Sequence, residues 1–310
     1  MNGIICLGEA LVDMIPTSAQ NDTYIKAAGG APANVSVGIA KLGGKATFIG
    51  KVGDDVLGHF LYETLKNYGV QTKMQFDERA RTGLTFVTLS ESGERDFHFY
   101  IEQSADAQLM AEEIDAALFN EHRLFHFGSI SLIHEPSKTA TLRAIELAKA
   151  NGLIISYDPN VRLRLWQSPQ HAKDVIHATL PYADILKLSD EELLFLTDCE
   201  DVETGIKKLP NVPLLLITLG ARGCMYRFNG QVATVDGISV TAIDTTGAGD
   251  AFMSSILYYI DTLGKSLTEI SDEEMADILK LANISGALAT TKKGAMTGLP
   301  TSEEVYEWHK

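Results

Sequence analysis

Short apolar runs, each closed by a Gly or Asp turn and followed by an amphipathic stretch, recur along most of this chain. Strand-length runs lie at 4–7, 46–49, 124–127, 153–157, 185–188 and 214–219. Helix-period stretches lie between several of them, at 33–42, 57–68, 137–150, 170–179 and 190–197. A continuous apolar run has no polar face to give to water, so such a strand must be buried on both sides. Strands of that kind joined by helices form βαβ units, which build a mostly parallel sheet covered by helices. The last third turns more helical, at 251–263, 272–290 and 302–308. The length of 310 residues suits one α/β domain spanning 1–310 with a small appendage.

One region breaks the rhythm. Leu84 and Phe86 alternate with Thr85, and a turn-like Glu91-Ser92-Gly93-Glu94 follows. After it, Phe97, Phe99 and Ile101 share one face while Asp96, His98, Tyr100 and Glu102 share the other. This pattern predicts an antiparallel hairpin, either an edge ribbon of the main sheet or a separate lid.

Charge narrows the partners. Lys and Arg number 26 against 41 Asp and Glu, a net charge of −15. Nucleic-acid binding depends on Lys and Arg neutralising phosphates, so it is not expected. A small anion held by a few backbone amides remains compatible with this balance. Cys6, Cys199 and Cys224 form no CxxC pair, and Cys6 and Cys224 lie in apolar runs as packing residues. A reducing, cytoplasmic setting is expected. No apolar stretch reaches the length of a membrane span, and the first residues carry no basic leader.

The chemistry concentrates in Asp244-Thr245-Thr246-Gly247-Ala248-Gly249-Asp250-Ala251-Phe252, which runs into an apolar helical stretch. Glycines let a backbone turn sharply, and first-turn helix amides lack intrahelical acceptors. Together they make an anion hole. An aspartate beside it can take a proton from an attacking hydroxyl while the amides stabilise a phosphoryl group. Asp250 as a plain helix N-cap is the simpler alternative. Other grips are missing. No GxxxxGK[ST] occurs, no GxSxG occurs, and Phe252 stands where a dinucleotide fingerprint needs its third glycine. A dehydrogenase is therefore disfavoured. His122 and His126 are four apart, but Leu124, Phe125 and Phe127 indicate a strand there, so no metal pair is expected.

The nine-residue string closely resembles the C-terminal signature of the ribokinase-like sugar kinases, the PfkB carbohydrate kinase family. Further motifs follow in that family's order. Gly8-Glu9-Ala10-Leu11-Val12-Asp13 resembles its first-strand exit, and Ala28-Gly29-Gly30-Ala31-Pro32-Ala33-Asn34 its N-terminal signature. Leu42-Gly43-Gly44 and Gly50-Lys51-Val52-Gly53-Asp54-Asp55 continue that signature. Asp158-Pro159-Asn160-Val161-Arg162 is similar to a motif of the fructokinase and ketodeoxygluconate kinase branch. Thr218-Leu219-Gly220-Ala221-Arg222-Gly223 resembles the nucleotide-binding turn.

The resemblance implies a ribokinase-like three-layer α/β sandwich with a small β lid drawn from segments around 11–25 and 81–101. It implies Asp250 as catalytic base, with the amides of Gly247, Ala248 and Gly249 as the anion hole. Asp13, Gly30, Asn34, Arg162 and, on the lid, Tyr100 would contact the sugar. Asp158, Lys187, Glu192, Thr218, Gly220, Gly223 and Asn283 would serve ATP and its Mg²⁺. A potassium site would draw on Asp244, Thr246, Ala289, Lys292 and Gly294, mostly through carbonyls. One departure stands out: the family's Asn-x-x-Glu is here Ser189-Asp190-Glu191-Glu192. A serine keeps a hydroxyl but loses the amide. The implied activity is ATP-dependent phosphorylation of a primary sugar hydroxyl, with fructose the first choice. 2-Keto-3-deoxygluconate, ribose and a riboside are alternatives on the same machinery, and a non-catalytic sugar sensor is an alternative of another class. The expected partners are a monosaccharide, ATP and a second copy of the chain through the lid.

Overall fold

The computed structural model describes residues 2–90 and 95–309. The turn expected at Glu91-Ser92-Gly93-Glu94 lies outside the described residues. In chain order the elements begin with β1 (Ile4–Leu7), β2 (Leu11–Pro16), β3 (Tyr24–Gly29), α1 (Ala31–Lys41), β4 (Ala46–Gly53), α2 (Val56–Asn67), β5 (Gln71–Asp77), β6 (Leu84–Leu89) and β7 (Arg95–Tyr100). They continue with β8 (Leu124–Phe127), α3 (Ser137–Ala150), β9 (Ile154–Tyr157), α4 (Pro169–Thr179), β10 (Ile185–Ser189), α5 (Asp190–Thr197), α6 (Val202–Lys208) and β11 (Leu214–Thr218). β12 (Gly223–Phe228), β13 (Gln231–Asp236), α7 (Ala248–Leu263), α8 (Asp272–Ala289), α9 (Ala295–Gly298) and α10 (Ser302–His309) complete the chain.

The apolar runs pair as one nine-stranded sheet in the order β13-β12-β11-β10-β9-β8-β1-β4-β5. Every neighbouring pair is parallel except β11–β12 and β12–β13. Alternate side chains of β1 enter two different cores. Ile4 and Cys6 pack with residues of α1, α7 and α8, whereas Ile5 and Leu7 join residues of α3 and α4. The sheet is thus helix-covered on both faces, as the uninterrupted apolar runs require.

The lone alternating region makes a second sheet. Its four strands run β3-β2-β6-β7, with β2–β3 and β6–β7 antiparallel and β2–β6 parallel. β2 leaves the end of β1, and β3 leads into α1, so the small sheet is rooted at the carboxyl ends of the main strands. That is where open α/β sheets place their ligands.

α1 and α7 lie against each other on one face of the main sheet, and the contact is close. A methyl added at Gly38 would meet Ser254 Oγ at 2.1 Å. This approach brings Asn34 of α1 to Asp250 of α7. Gly38→Ala should therefore destabilise the protein by about 1–3 kcal/mol through overpacking. Chemical denaturation should show it, and Ser254→Gly in the same chain should recover part of the loss.

Candidate active site

A cavity of about 810 Å³ opens between the two sheets. Its floor contains Gly247, Gly249 and Asp250, its sides Glu9, Gly30, Asn34, Asn160, Arg162 and Lys187, and its roof Leu11, Asp13, Thr85, Phe97 and Phe99.

Asp250 is not the N-cap of α7. Gly247 holds that place with φ 81°, a left-handed conformation that suits glycine, and Asp250 is the third helical residue. Its Oδ2 instead accepts a hydrogen bond of 2.7 Å from Asn34 Nδ2. Burial pushes the Asp250 carboxyl up to about 6; the Asn34 amide opposes that rise and the Asp158 carboxylate adds to it. Asn34 is placed by the start of α1, where Gly30 has φ 101° and Asn34 N–H donates to Gly30 O at 2.8 Å. A Cβ at Gly30 would collide with Glu9 O at 2.3 Å.

Two more carboxyls share this space. Burial pushes Asp13 up to about 7, with Asp250 adding to the rise and Arg162 opposing it. Burial pushes Glu9 up to about 8, against the pull of its own amide and that of Ala31, whose N–H donates to Glu9 Oε1 at 2.9 Å.

Next to the floor, Lys187 Nζ and Asp158 Oδ2 form a buried ion pair at 2.9 Å. Burial alone lowers the Lys187 pKa, but the Asp158 and Glu192 carboxylates outweigh it and the net shift is upward. A methyl on Gly249 would lie 3.2 Å from Lys187 Nζ, so the ammonium sits against the α7 terminus. Glu192 takes Val161 N–H on Oε1 at 2.6 Å and Ser189 N–H on Oε2 at 2.8 Å. Ser189 Oγ accepts Glu192 N–H at 3.1 Å, closing a capping box. Serine at position 189 thereby fixes Glu192 through helix capping rather than through a side-chain amide.

A second set of loops meets behind α7. Asp244 Oδ1 accepts from Thr246 N and Oδ2 from Gly294 N, both at 2.9 Å. Thr290 O receives the amides of Ile243 and Asp244 at 2.7 and 3.0 Å. Ala289 closes α8 beside these bonds. The Lys292 ammonium is bonded outward to Glu304 at 2.6 Å, so only its backbone can serve this region. Among the described residues no group of three or more His, Cys, Asp or Glu could hold a metal ion.

Six further expected positions fall outside this cavity. Tyr100 is 64 % exposed, and its ring meets Phe86 edge-on at 5.5 Å on the face opposite Asp13, Thr85 and Phe99. The period-two alternation already separates Tyr100 from Phe97 and Phe99, and these two rings line the cavity in its place. Ala248 does not line the cavity, and its N–H donates to Thr245 O at 3.3 Å. Thr218, Gly220, Gly223 and Asn283 lie outside it, where β11 turns into β12 and α8 packs on β13. Asn283 Nδ2 donates to the carbonyls of Val235 and Asp236 at 3.0 and 3.1 Å, which anchors the end of β13. His122 bonds Thr47 and Leu118, and His126 bonds Ser156, so neither is set up as a metal ligand.

The family follows from comparison. A profile of the pfkB family of carbohydrate kinases matches residues 1–302. The chain belongs to that family. A probable chloroplastic fructokinase-6 of Arabidopsis thaliana is 46% identical over 98% of this chain and 81% of its own length. Among solved structures, a fructokinase double mutant from Vibrio cholerae O395, in its fructose-, ADP- and potassium-bound form, superposes with a TM-score of 0.91 at 38% identity. That match covers 100% of this chain and 99% of the other. An aminoimidazole riboside kinase from Salmonella enterica, complexed with its riboside and an ATP analogue, gives 0.86 at 28% identity over the whole of both chains.

In this carbohydrate kinase, sequence reasoning missed Glu9, Asn160 and Thr85 as cavity residues. Glu9 belongs to the Gly8–Asp13 string, and its polarity just past a fully apolar strand was the available signal. Asn160 has φ 47°, a left-handed position that Asn tolerates. Thr85 pairs with Asp13 across β2–β6, a register that sequence alone does not give.

The three raised carboxyls have a thermodynamic consequence. Between the ordinary carboxylate range and about pH 8, the folded protein retains protons that the unfolded chain has lost. Stability of the ligand-free protein should therefore fall as pH rises from about 4 to about 8. Asp13→Asn should match the wild type near pH 4 and exceed it by at least about 1 kcal/mol at pH 8 in urea titrations.

Proposed function

We propose that this kinase is an ATP-dependent fructokinase that moves the γ-phosphoryl of ATP to a primary hydroxyl of fructose. One observation carries the mechanism: a half-buried aspartate, held by Asn34 at 2.7 Å, stands in the first turn of α7 beside a buried lysine. The fructokinases among its relatives support the acceptor.

In this scheme the hydroxyl lies against Asp250, which takes its proton as the oxygen attacks the γ-phosphorus. The bond from phosphorus to the bridging oxygen breaks, and ADP leaves with the electron pair. The amides of Gly247 and Gly249 stabilise the transferring group, with the Lys187 ammonium next to them. Asp13, Gly30, Asn34 and Arg162 hold the sugar. Asn34 Oδ1 is a buried acceptor with no protein partner, which fits a sugar hydroxyl. The small sheet acts as the lid that excludes water from the phosphoryl.

On the nucleotide side we assign Lys187 to the phosphates and Thr218, Gly220 and Gly223 to the base and ribose. Asn283 supports them from α8. Asp158 Oδ1 is also buried without a partner, and it fits a hydrated Mg²⁺ shared with Glu192. When bound, Mg²⁺ neutralises phosphate oxygens. The carbonyls of Asp244, Thr246, Ala289, Lys292 and Gly294 are assigned to potassium. The Asp244 side chain ties their two loops together. Potassium would add positive charge beside the anion hole.

Ile25 and Tyr100, each 64 % exposed on the small sheet, support a homodimer through it. No described helix is long and apolar enough to cross a membrane. We assign the protein to the cytoplasm.

A coupled ADP-release assay with Mg-ATP and potassium should show saturable turnover on fructose. It should be far above ribose, ketodeoxygluconate and aminoimidazole riboside. Preference for another acceptor would keep the machinery and replace the sugar. Asp250→Asn should lower kcat at least about 100-fold while retaining fructose binding by calorimetry. Because Asp250 must be ionised to accept the proton, kcat/KM should fall with acid on a limb centred near pH 6.

A further inference from the structure

The string Gly50-Lys51-Val52-Gly53-Asp54-Asp55 contributes no residue to the cavity. Its side chains are nevertheless occupied. Asp55 Oδ1 accepts from Leu57 N at 3.0 Å, Gly58 N at 2.9 Å and Thr82 Oγ1 at 2.8 Å, and Oδ2 accepts from Thr82 N at 3.0 Å. Thr82 is buried, and its Oγ1 accepts from Gly53 N at 3.1 Å. The knot leaves no room for side chains at its glycines: a Cβ on Gly53 would meet Asp55 Oδ2 at 2.5 Å, and one on Gly58 would meet Gly53 O at 2.0 Å.

A second tie stands beside the first. Lys51 is 5% exposed, and its Nζ lies 2.9 Å from Glu113 Oε1, 3.3 Å from Asp77 Oδ2 and 3.2 Å from Gln108 O. Asp77 Oδ1 caps the turn into β6 through Arg79 N and Ala80 N at 2.9 and 2.8 Å. Arg81 O accepts from Ala105 N at 2.9 Å, joining the strand that enters the hairpin to the one that leaves it. Both roots of β6–β7 are therefore bonded to β4 and α2 of the main body. Three residues beyond Thr82 stands Thr85, on the cavity roof with Phe97 and Phe99.

We propose that Asp55 and Thr82 are positioning residues for the sugar: their knot is the fixed pivot that sets the height of Thr85, Phe97 and Phe99 above Asp250. The proposal rests on the reading that the small sheet covers the acceptor. The physical reason is leverage. A strand whose root slides by an ångström carries its whole roof out of contact, and small misplacements are costly in rate and binding. The nucleotide side lies across the main sheet from this root and should not feel it.

Thr82→Val keeps the shape and deletes the hydroxyl that links Gly53 to Asp55. It should raise KM for fructose at least tenfold and leave KM for ATP within twofold. Thr82→Ser, which keeps the hydroxyl, should restore the wild-type value. A fructose KM within twofold of wild type in a folded Thr82→Val would overturn the proposal. Hydrogen exchange on the unliganded wild type reads the pivot without any variant or turnover. The amides of Gly53 and Thr82 should exchange at least tenfold more slowly than those of β6 and β7, and equal rates would overturn it. A wild type without turnover on any sugar would count against the kinase reading and leave the exchange result to decide the pivot.

Discussion

Asn34 and Asp250 are 216 residues apart in sequence and 2.7 Å apart in space. To hold them there, α1 must start at Gly30, α7 must start at Gly247, and the two helices must pack closely enough that Gly38 touches Ser254. The core behind them follows from the same demand. Val35, Val37 and Ile39 of α1 and Phe252, Ile256 and Leu257 of α7 share one cluster with Ile4 and Cys6 of β1. Deleting one large side chain there would cost several kcal/mol, about 2–5 for a leucine or isoleucine cut to alanine. That core fixes the helices, and the helices fix the amide against the carboxylate.

The site spends stability on charge. Glu9, Asp13 and Asp250 crowd one cavity, and burial disfavours the ionised form of each. Lys187 and Asp158 are buried together, and removal of one partner from such a pair costs about 3–5 kcal/mol because the other is left alone. A sequence selected for packing alone would place apolar residues at these positions. Their presence marks the cavity as the place where local rules yield to chemistry.

Legibility in the sequence followed physical strength. The buried parallel strands were plain because a continuous apolar run has one stable solution. β5 and β13 were not recognised. β5 buries only Met74, and β13 is an edge strand with no buried residue, so neither carries a strong pattern. Asp250, Asn34 and Asp13 were visible through motif resemblance, and the geometry groups them in one cavity. Tyr100 was assigned to the sugar against its own alternation, and the fold places it on the other face. Ser189 looked like a loss because its amide is gone. Its part in the capping box was open to reading in the Ser-x-x-Glu spacing ahead of the apolar Leu193-Leu194-Phe195-Leu196 run, a local signal that the comparison with Asn obscured.

The most direct measurement is a ¹³C NMR titration of the Asp250 carboxyl in the ligand-free protein, alone and with Asn34→Ala. Burial against the Asn34 hydrogen bond gives a midpoint near 6, and loss of that bond should move it higher. A midpoint in the ordinary carboxylate range, unmoved by Asn34→Ala, would contradict the half-buried, amide-held base.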